Sequence, residues 1–247
     1  MLLDAARFAE NSWFVHEREQ GYAGKSPEQI AQELFSYTDG AMMSMKKDAF
    51  GNMGGVLTLN DDDLARQVRN LLILTEGFPT YGGLSGRDLE ALAIGLREIL
   101  DPDYLQYRIR STAYVGWHLD QAGVPVFKPF GGHAIYLDGR AFCDHIPNEQ
   151  YPGWSLSAAL YVHTGVRACE IGNLMFGRPN AEKEEDRWPV MDLVRMAIPR
   201  RVYTQSHMDY VIEGITELYE KRLKIRGLRI VERPDVLPHF TATFAEV

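Results

Sequence analysis

Tyr37-Thr-Asp-Gly-Ala41-Met-Met43-Ser44-Met45-Lys46-Lys47-Asp48, leading into Asn52-Met-Gly54-Gly55, is the stretch that decides how this chain is read. Ala41, Met43 and Met45 recur at alternate positions, the period of a strand with one face on a core. The strand runs out in Ser44-Met-Lys46-Lys47, so a hydroxyl and two amines stand where it leaves the sheet. Open α/β sheets bind ligands at that end. A solvated basic loop after a strand has the same composition, and these residues alone do not separate the two readings. Met42, Met43 and Met45 suit core filling better than a ligand site.

Working outward, the 247 residues suffice for one large domain or two small ones. Apolar residues make up 45% and charged residues 24%, which argues against disorder. The net charge of −8 disfavours nucleic acid or an anionic membrane as a partner. Cys143 and Cys169 show no pairing pattern, and a reduced, cytoplasmic protein is the expectation. Leu2-Leu3-Asp4-Ala5-Ala6-Arg7 reads as a strand tip that meets a charged pair at once. Residues upstream of Met1 are therefore expected in the complete protein.

Ser26-Pro27-Glu28-Gln29 has the form of a helix start, with a cap residue followed by Pro. Val56 to Leu59 reads as a strand paired with the opening one. Asn60 to Asp63 caps a helix carrying Leu64, Val68, Leu71, Leu72 and Leu74. Helices are expected over Ser85 to Leu100, Tyr104 to Gln121 and Ser155 to Thr164. Strands are expected over Val124 to Phe127, His133 to Leu137, from Gly165-Val166-Arg167, over Asp192 to Ile198 and over Leu228 to Val231. Met208, Val211, Ile212, Ile215 and Leu218 mark one apolar helix face. Pro179 to Pro189 reads as a charged surface insertion. The alternation means α/β or α+β, with a boundary near residue 101 separating 1–101 from 102–247.

Asp4, Arg7, Ser44, Lys46 and Lys47 form a chemically coherent set. A pyridoxal phosphate (PLP) site needs a lysine for the aldehyde and an acid facing the pyridine nitrogen. It also needs a cation near the phenolic oxygen, and a hydroxyl and second cation for the phosphate. Asp4 and Arg7 also fit a surface ion pair at a strand end, worth little. His16 has no second histidine at helical spacing for zinc. Gly131-Gly132-His133 reads as a strand turn more readily than as a phosphate cradle. The basic Lys221-Arg222-Leu-Lys224-Ile-Arg226 run suits the end of a helix better than a nucleic-acid site, given the overall charge.

Several longer strings are similar to the β-eliminating lyases, the family of tryptophanase and tyrosine phenol-lyase. They are Asp4-Ala-Ala-Arg7-Phe-Ala-Glu-Asn11, Ser44-Met-Lys46-Lys47-Asp48, Glu76-Gly-Phe-Pro-Thr-Tyr-Gly-Gly83, Gly131-Gly-His133, Arg195-Met-Ala-Ile-Pro-Arg-Arg201-Val-Tyr-Thr204, His207-Met-Asp209 and His239-Phe-Thr-Ala242. The resemblance runs nearly end to end. It implies the C-terminal half of a PLP-dependent transferase of fold type I, aspartate-aminotransferase-like. That half comprises the end of the large cofactor domain (1–101) and the small α+β domain (102–247).

The resemblance also implies roles. Lys47 matches the lysine that joins the cofactor aldehyde. Asp4 matches the acid at the ring nitrogen, Arg7 the cation at the phenolic oxygen, and Ser44 and Lys46 the phosphate region. The backbone carbonyl of Asn52 falls where potassium is held. Arg195 matches the arginine for the substrate carboxylate, and Ile171, His239 and Phe240 lie on the substrate side. Met45 departs from the small residue usual in the family. Tyrosine phenol-lyases carry an arginine at the place of Ile171 and a phenylalanine at that of His239, whereas tryptophanases carry Ile and His. An unpaired phenol hydroxyl buried against Ile171 would cost roughly 1–3 kcal/mol, so tryptophan is the expected substrate. The resemblance further implies a homotetramer with shared sites. A tyrosine phenol-lyase, or an incomplete chain serving as a binding or assembly module, are the alternatives.

Overall fold

The computed structural model describes residues 1–178 and 187–247. The expected charged insertion lies outside the described residues as far as residue 186. The chain divides into two compact units, Met1–Arg108 and Ile109–Val247.

The first unit contains β1 (Leu2–Asp4), α1 (Phe8–Arg18), α2 (Pro27–Ser36), β2 (Gly40–Ser44), α3 (Met45–Asp48), β3 (Gly55–Leu59), α4 (Asp62–Thr75) and α5 (Gly86–Glu98), and the start of α6 (Pro102–Gln121). Its sheet has the order β1-β2-β3. β1 runs parallel to β2, with Asp4 opposite Met42, and β3 returns antiparallel, with Gly55 opposite Ser44. The alternation read from sequence is real: Ala41 and Met43 are buried and Met42 is exposed. The start of α2 is a capping box, in which the Ser26 hydroxyl accepts from the Gln29 N–H and the Gln29 side chain accepts from the Ser26 N–H. α1 and α2 meet through the edge-on Phe8–Phe35 ring pair, with centroids 5.5 Å apart. Asp61 caps α4 as expected. No residue of α4 is buried, and Leu64, Leu71, Ile73 and Leu74 face outward.

The second unit contains the rest of α6, then β4 (Ala134–Asp138), α7 (Gly139–Phe142), α8 (Pro152–Thr164), β5 (Cys169–Ile171), α9 (Asn173–Phe176), β6 (Leu193–Ala197), α10 (Gln205–Glu220), β7 (Leu228–Glu232), α11 (Pro238–Thr241) and β8 (Thr243–Glu246). Its main sheet is antiparallel in the order β4-β6-β5. Ile135, Leu137, Val194 and Met196 point from it into a core with Leu119, Leu156, Leu160 and Ile215. β7 and β8 form a separate antiparallel pair. The strand expected over Val124 to Phe127 is reduced to one bridge, Val126 to Leu137. Pro125 and Pro129 remove the N–H groups that a longer ladder would need. The strand expected from Gly165 starts only at Cys169, because Gly165 ends α8 in a left-handed conformation and the Val166 N–H donates to the Thr164 hydroxyl. Among the described residues no helix is long and apolar enough to cross a membrane.

Candidate active site

In the first unit the parallel pairing of β1 and β2 sets Asp4 and Ser44 at the same end of the sheet. The Asp4 side chain is turned back on its own loop, where Oδ1 accepts the Ala6 N–H at 3.1 Å. It makes no ion pair with Arg7, so the simple surface-pair reading of those two residues does not hold. Arg7 instead lies 3.7 Å from Glu10 Oε2, and its Nε is buried without a hydrogen-bond partner. Glu10 is buried and is held on its other oxygen by Arg108 Nε at 3.2 Å.

The two lysines do not lie in a loop. They occupy α3, one turn that continues directly from β2. Lys46 is exposed and Lys47 half-buried, and neither has an ion-pair partner among the described residues. The turn is anchored from three sides. Asp48, fully buried, accepts the Ala9 N–H at 2.9 Å. Ala49, also fully buried, lies against α5 at Gly95, where a Cβ would come within 1.9 Å of the Ala49 carbonyl oxygen. Phe50 then takes a left-handed conformation at φ 54, unusual for a bulky residue, with its ring edge-on to Tyr104 at 5.0 Å. Asn52 follows in the exposed turn before β3.

These surroundings suit a covalently held, anionic cofactor. A lysine without a counter-ion is available to an aldehyde, and the second lysine and the Ser44 hydroxyl are available to a phosphate.

In the second unit the register of the main sheet sorts the remaining candidates. Arg195 on the central strand lies opposite Tyr136 on one side and Cys169 on the other, and Ile171 lies opposite Leu193. Strand alternation places Tyr136, Arg195, Cys169 and Ile171 on the face away from the core. The structure thus brings Arg195 and Ile171 together on one face. Arg195 is half-buried, and its Nε is buried with no hydrogen-bond partner. The Tyr136 hydroxyl on the same face is 3.3 Å from His133 Nε2. Gly131 and Gly132 form the turn before β4, the expected strand turn. His239 and Phe240 lie on α11, their rings 4.2 Å apart, and α11 packs against α9, which follows Ile171.

Sequence reasoning missed the groups that hold these residues in place. Asp48 directly follows the two lysines, and an acid after an apolar strand end is a signal for a buried acceptor. Gly95 inside a helix of good formers is another, since such a glycine marks close packing. Glu170 and Asp192, both buried behind the Arg195 face, gave no such signal.

Residues 1–214 match the family model described as Beta-eliminating lyase. The chain is 55% identical over 242 residues to the tryptophanase of Hyphomonas neptunium, covering 98% of this chain and 53% of the relative. It is 55% identical over 246 residues to the tryptophanase of Rhodobacter capsulatus, covering 100% of this chain and 54% of that protein. It is 47% identical over 247 residues to a tyrosine phenol-lyase from Symbiobacterium, covering 100% of this chain and 54% of that protein. The chain therefore spans about half the length of the curated relatives it matches. Among solved structures it resembles a serine palmitoyltransferase from S. paucimobilis, with TM-score 0.50 and 11% identity over 81% of this chain and 44% of that one. It also resembles an SPT structure with PLP, with TM-score 0.53 and 14% identity over 81% and 44%. These likenesses bear on fold alone, and they agree with the α/β, fold type I architecture. With the matched model covering most of its length, the chain belongs to the beta-eliminating lyase family.

Proposed function

We propose that this chain carries the lysine-bearing part of a PLP-dependent lyase that cleaves L-tryptophan to indole, pyruvate and ammonium. The observation that carries the reading is Lys47, presented on a rigid turn without a counter-ion beside Lys46 and Ser44, at the sheet end that also bears Asp4. PLP, when bound, supplies an electron sink that stabilises negative charge at the substrate Cα. Lys47 would supply the primary amine that holds the cofactor and would serve as the base for the Cα proton. Asp4 would face the pyridine nitrogen as its acid partner, and Arg7 would be the cation near the phenolic oxygen. Ser44 and Lys46 bind the phosphate. The backbone carbonyl of Asn52 is one ligand for a potassium ion. Arg195 holds the substrate carboxylate through the guanidinium whose Nε is unpartnered. Ile171 offers an apolar contact to indole, and His239 and Phe240 line the aromatic side.

We further infer that the complete protein is a cytoplasmic homo-oligomer, a tetramer. Tyrosine phenol-lyase activity is the alternative that the 47% identity supports. A binding or assembly role is the alternative that the half-length match supports. The test is to assay this chain, combined with a polypeptide matching the rest of the relatives' length, on tryptophan and on tyrosine. Indole release far above phenol release is expected. The opposite ratio would overturn the substrate assignment, and no release of either would favour the binding role.

A further inference from the structure

Behind the face that carries Arg195 and Ile171 lies a pair of acids that no other feature of the chain accounts for. Glu170, between Cys169 and Ile171 on β5, points to the core side, and it and Asp192, just before β6, are each 1% exposed. Asp192 sits in a built cradle. Its Oδ2 accepts the Gly153 N–H at 2.7 Å, its Oδ1 the Asn173 N–H at 2.9 Å, and its backbone oxygen the Gly139 N–H at 2.7 Å. The neighbouring glycines leave room for it: a Cβ on Gly172 would lie 2.0 Å from Asp192 Oδ1, and one on Gly153 2.6 Å from the same atom. Glu170 Oε1 accepts the Leu174 N–H at 2.9 Å. Glu170 Oε2 is buried with no hydrogen-bond partner, and the successive N–H groups of Asn173 and Leu174, which donate to Asp192 and to Glu170 in turn, hold the two carboxyl groups side by side.

We propose that Glu170 is a positioning residue: its carboxyl group donates a hydrogen bond to Asp192, and this buried contact fixes β5 against the entrance to β6, and with it the placement of Ile171 and Arg195. Two acids that face each other away from water cannot both be ionised, so one of them holds a proton. Asp192 already accepts an N–H group on each of its two side-chain oxygens, so it is the acceptor of the pair. Burial, then the charge of Asp192, pushes Glu170 up to about 8, so it is the proton carrier at neutral pH.

The groups around the pair agree. From α9, Glu170 meets only the Leu174 and Met175 N–H groups. From the start of α8, it meets Tyr151, whose phenol is raised by burial and by Glu170, against a lowering by Arg233. From α7, Arg140 is committed to Asn173 and to the Pro189 and Val190 carbonyls rather than to either acid. Cys143 near Asp192 is pushed up to about 12, chiefly by burial, and stays a neutral thiol. The functional meaning of the placement rests on the role proposed for Arg195, but the contact itself does not.

The test uses the 247-residue chain without cofactor, so its outcome is independent of whether the lyase reading holds. Amide exchange across β5 and β6 is measured at pH 6 and pH 9 in the wild type, E170Q and E170A, each against intrinsic rates. Glutamine reproduces the donor and the acceptor of the protonated acid but does not titrate. E170Q is expected to be at least as protected as the wild type at pH 6. A carboxyl group raised in the folded state costs stability from its unfolded value up to its folded value and no further above it, so between pH 6 and pH 9 the wild type should lose on the order of a hundredfold of its protection at Ile171 and Arg195 relative to E170Q, the two pH units between 6 and about 8. E170A should be less protected than E170Q at both pH values. The proposal is overturned if E170Q behaves like E170A, if E170Q fails to fold at pH 6, or if wild type and E170Q keep the same ratio at both pH values.

Discussion

The Ala9 N–H donates to Asp48 at 2.9 Å, and this buried hydrogen bond joins the turn that bears Lys47 to the helix that follows Arg7. Residues far apart in sequence thereby share one anchor. Removing the acceptor leaves a donor stranded in the core, which costs about 1–3 kcal/mol. Asp48→Ala is therefore expected to lower stability by that order, read as a lower urea midpoint with an unchanged slope. It is also expected to weaken cofactor binding, because the turn that bears Lys47 loses its tie to α1. An unchanged midpoint would show that the bond holds nothing in place.

Gly95 is the second anchor, and here the constraint is space. A Cβ would overlap the Ala49 carbonyl oxygen, and backbone cannot move aside as a flexible side chain can. Gly95→Ala should destabilise the chain by about 1–3 kcal/mol despite the better helix propensity of alanine. Gly86→Ala, at a position in the same helix with nothing near its Cβ, serves as the control and should be neutral or stabilising. Thermal unfolding of the two variants side by side gives the comparison.

Acid sensitivity should trace to Glu33. Lys25 at 2.6 Å, and then the Tyr37 and Tyr22 hydroxyls at 2.7 and 2.9 Å, lower its carboxyl group to about 2. A lowered carboxylate stabilises the fold above its unfolded value, here 4.5, and that contribution disappears as the pH falls towards 2. Wild type should exceed Glu33→Gln in melting temperature at pH 6, and the margin should close on acidification. The group is open to solvent, so the margin is small and should shrink in high salt. A margin that is constant with pH would mean that the cluster acts by packing alone.

Much of this architecture is legible from residues, where local chemistry and tertiary packing agree. Ser26-Pro27 starts a helix, Gly40 to Ser44 forms the strand whose alternation sets its faces, and the long helix expected over Tyr104 to Gln121 is present, beginning at Pro102. The failures have particular causes. Val124 to Phe127 has strand-like composition, but Pro125 within it and Pro129 just beyond it leave too few donors. The lysine turn is helical although it is only one turn long, because β2, Asp48 and Gly95 impose it, and no propensity over four residues reports that. The short α11 and β8 depend on contacts made after the chain has folded back. The pair Glu170 and Asp192 is distant in sequence, and only the structure puts the two acids face to face. The apolar face of α4 was legible as a pattern, but its exposure among the described residues was not.

The central claim, that Lys47 and not Lys46 is the covalent lysine, is tested most directly by trapping. The chain is mixed with one equivalent of PLP, reduced with borohydride, and mapped by peptide mass in wild type, Lys47→Ala and Lys46→Ala. The account predicts that the adduct sits on Lys47 in the wild type and in Lys46→Ala, and is lost in Lys47→Ala without moving to Lys46. An adduct found on Lys46, or one that persists unchanged in Lys47→Ala, would contradict it.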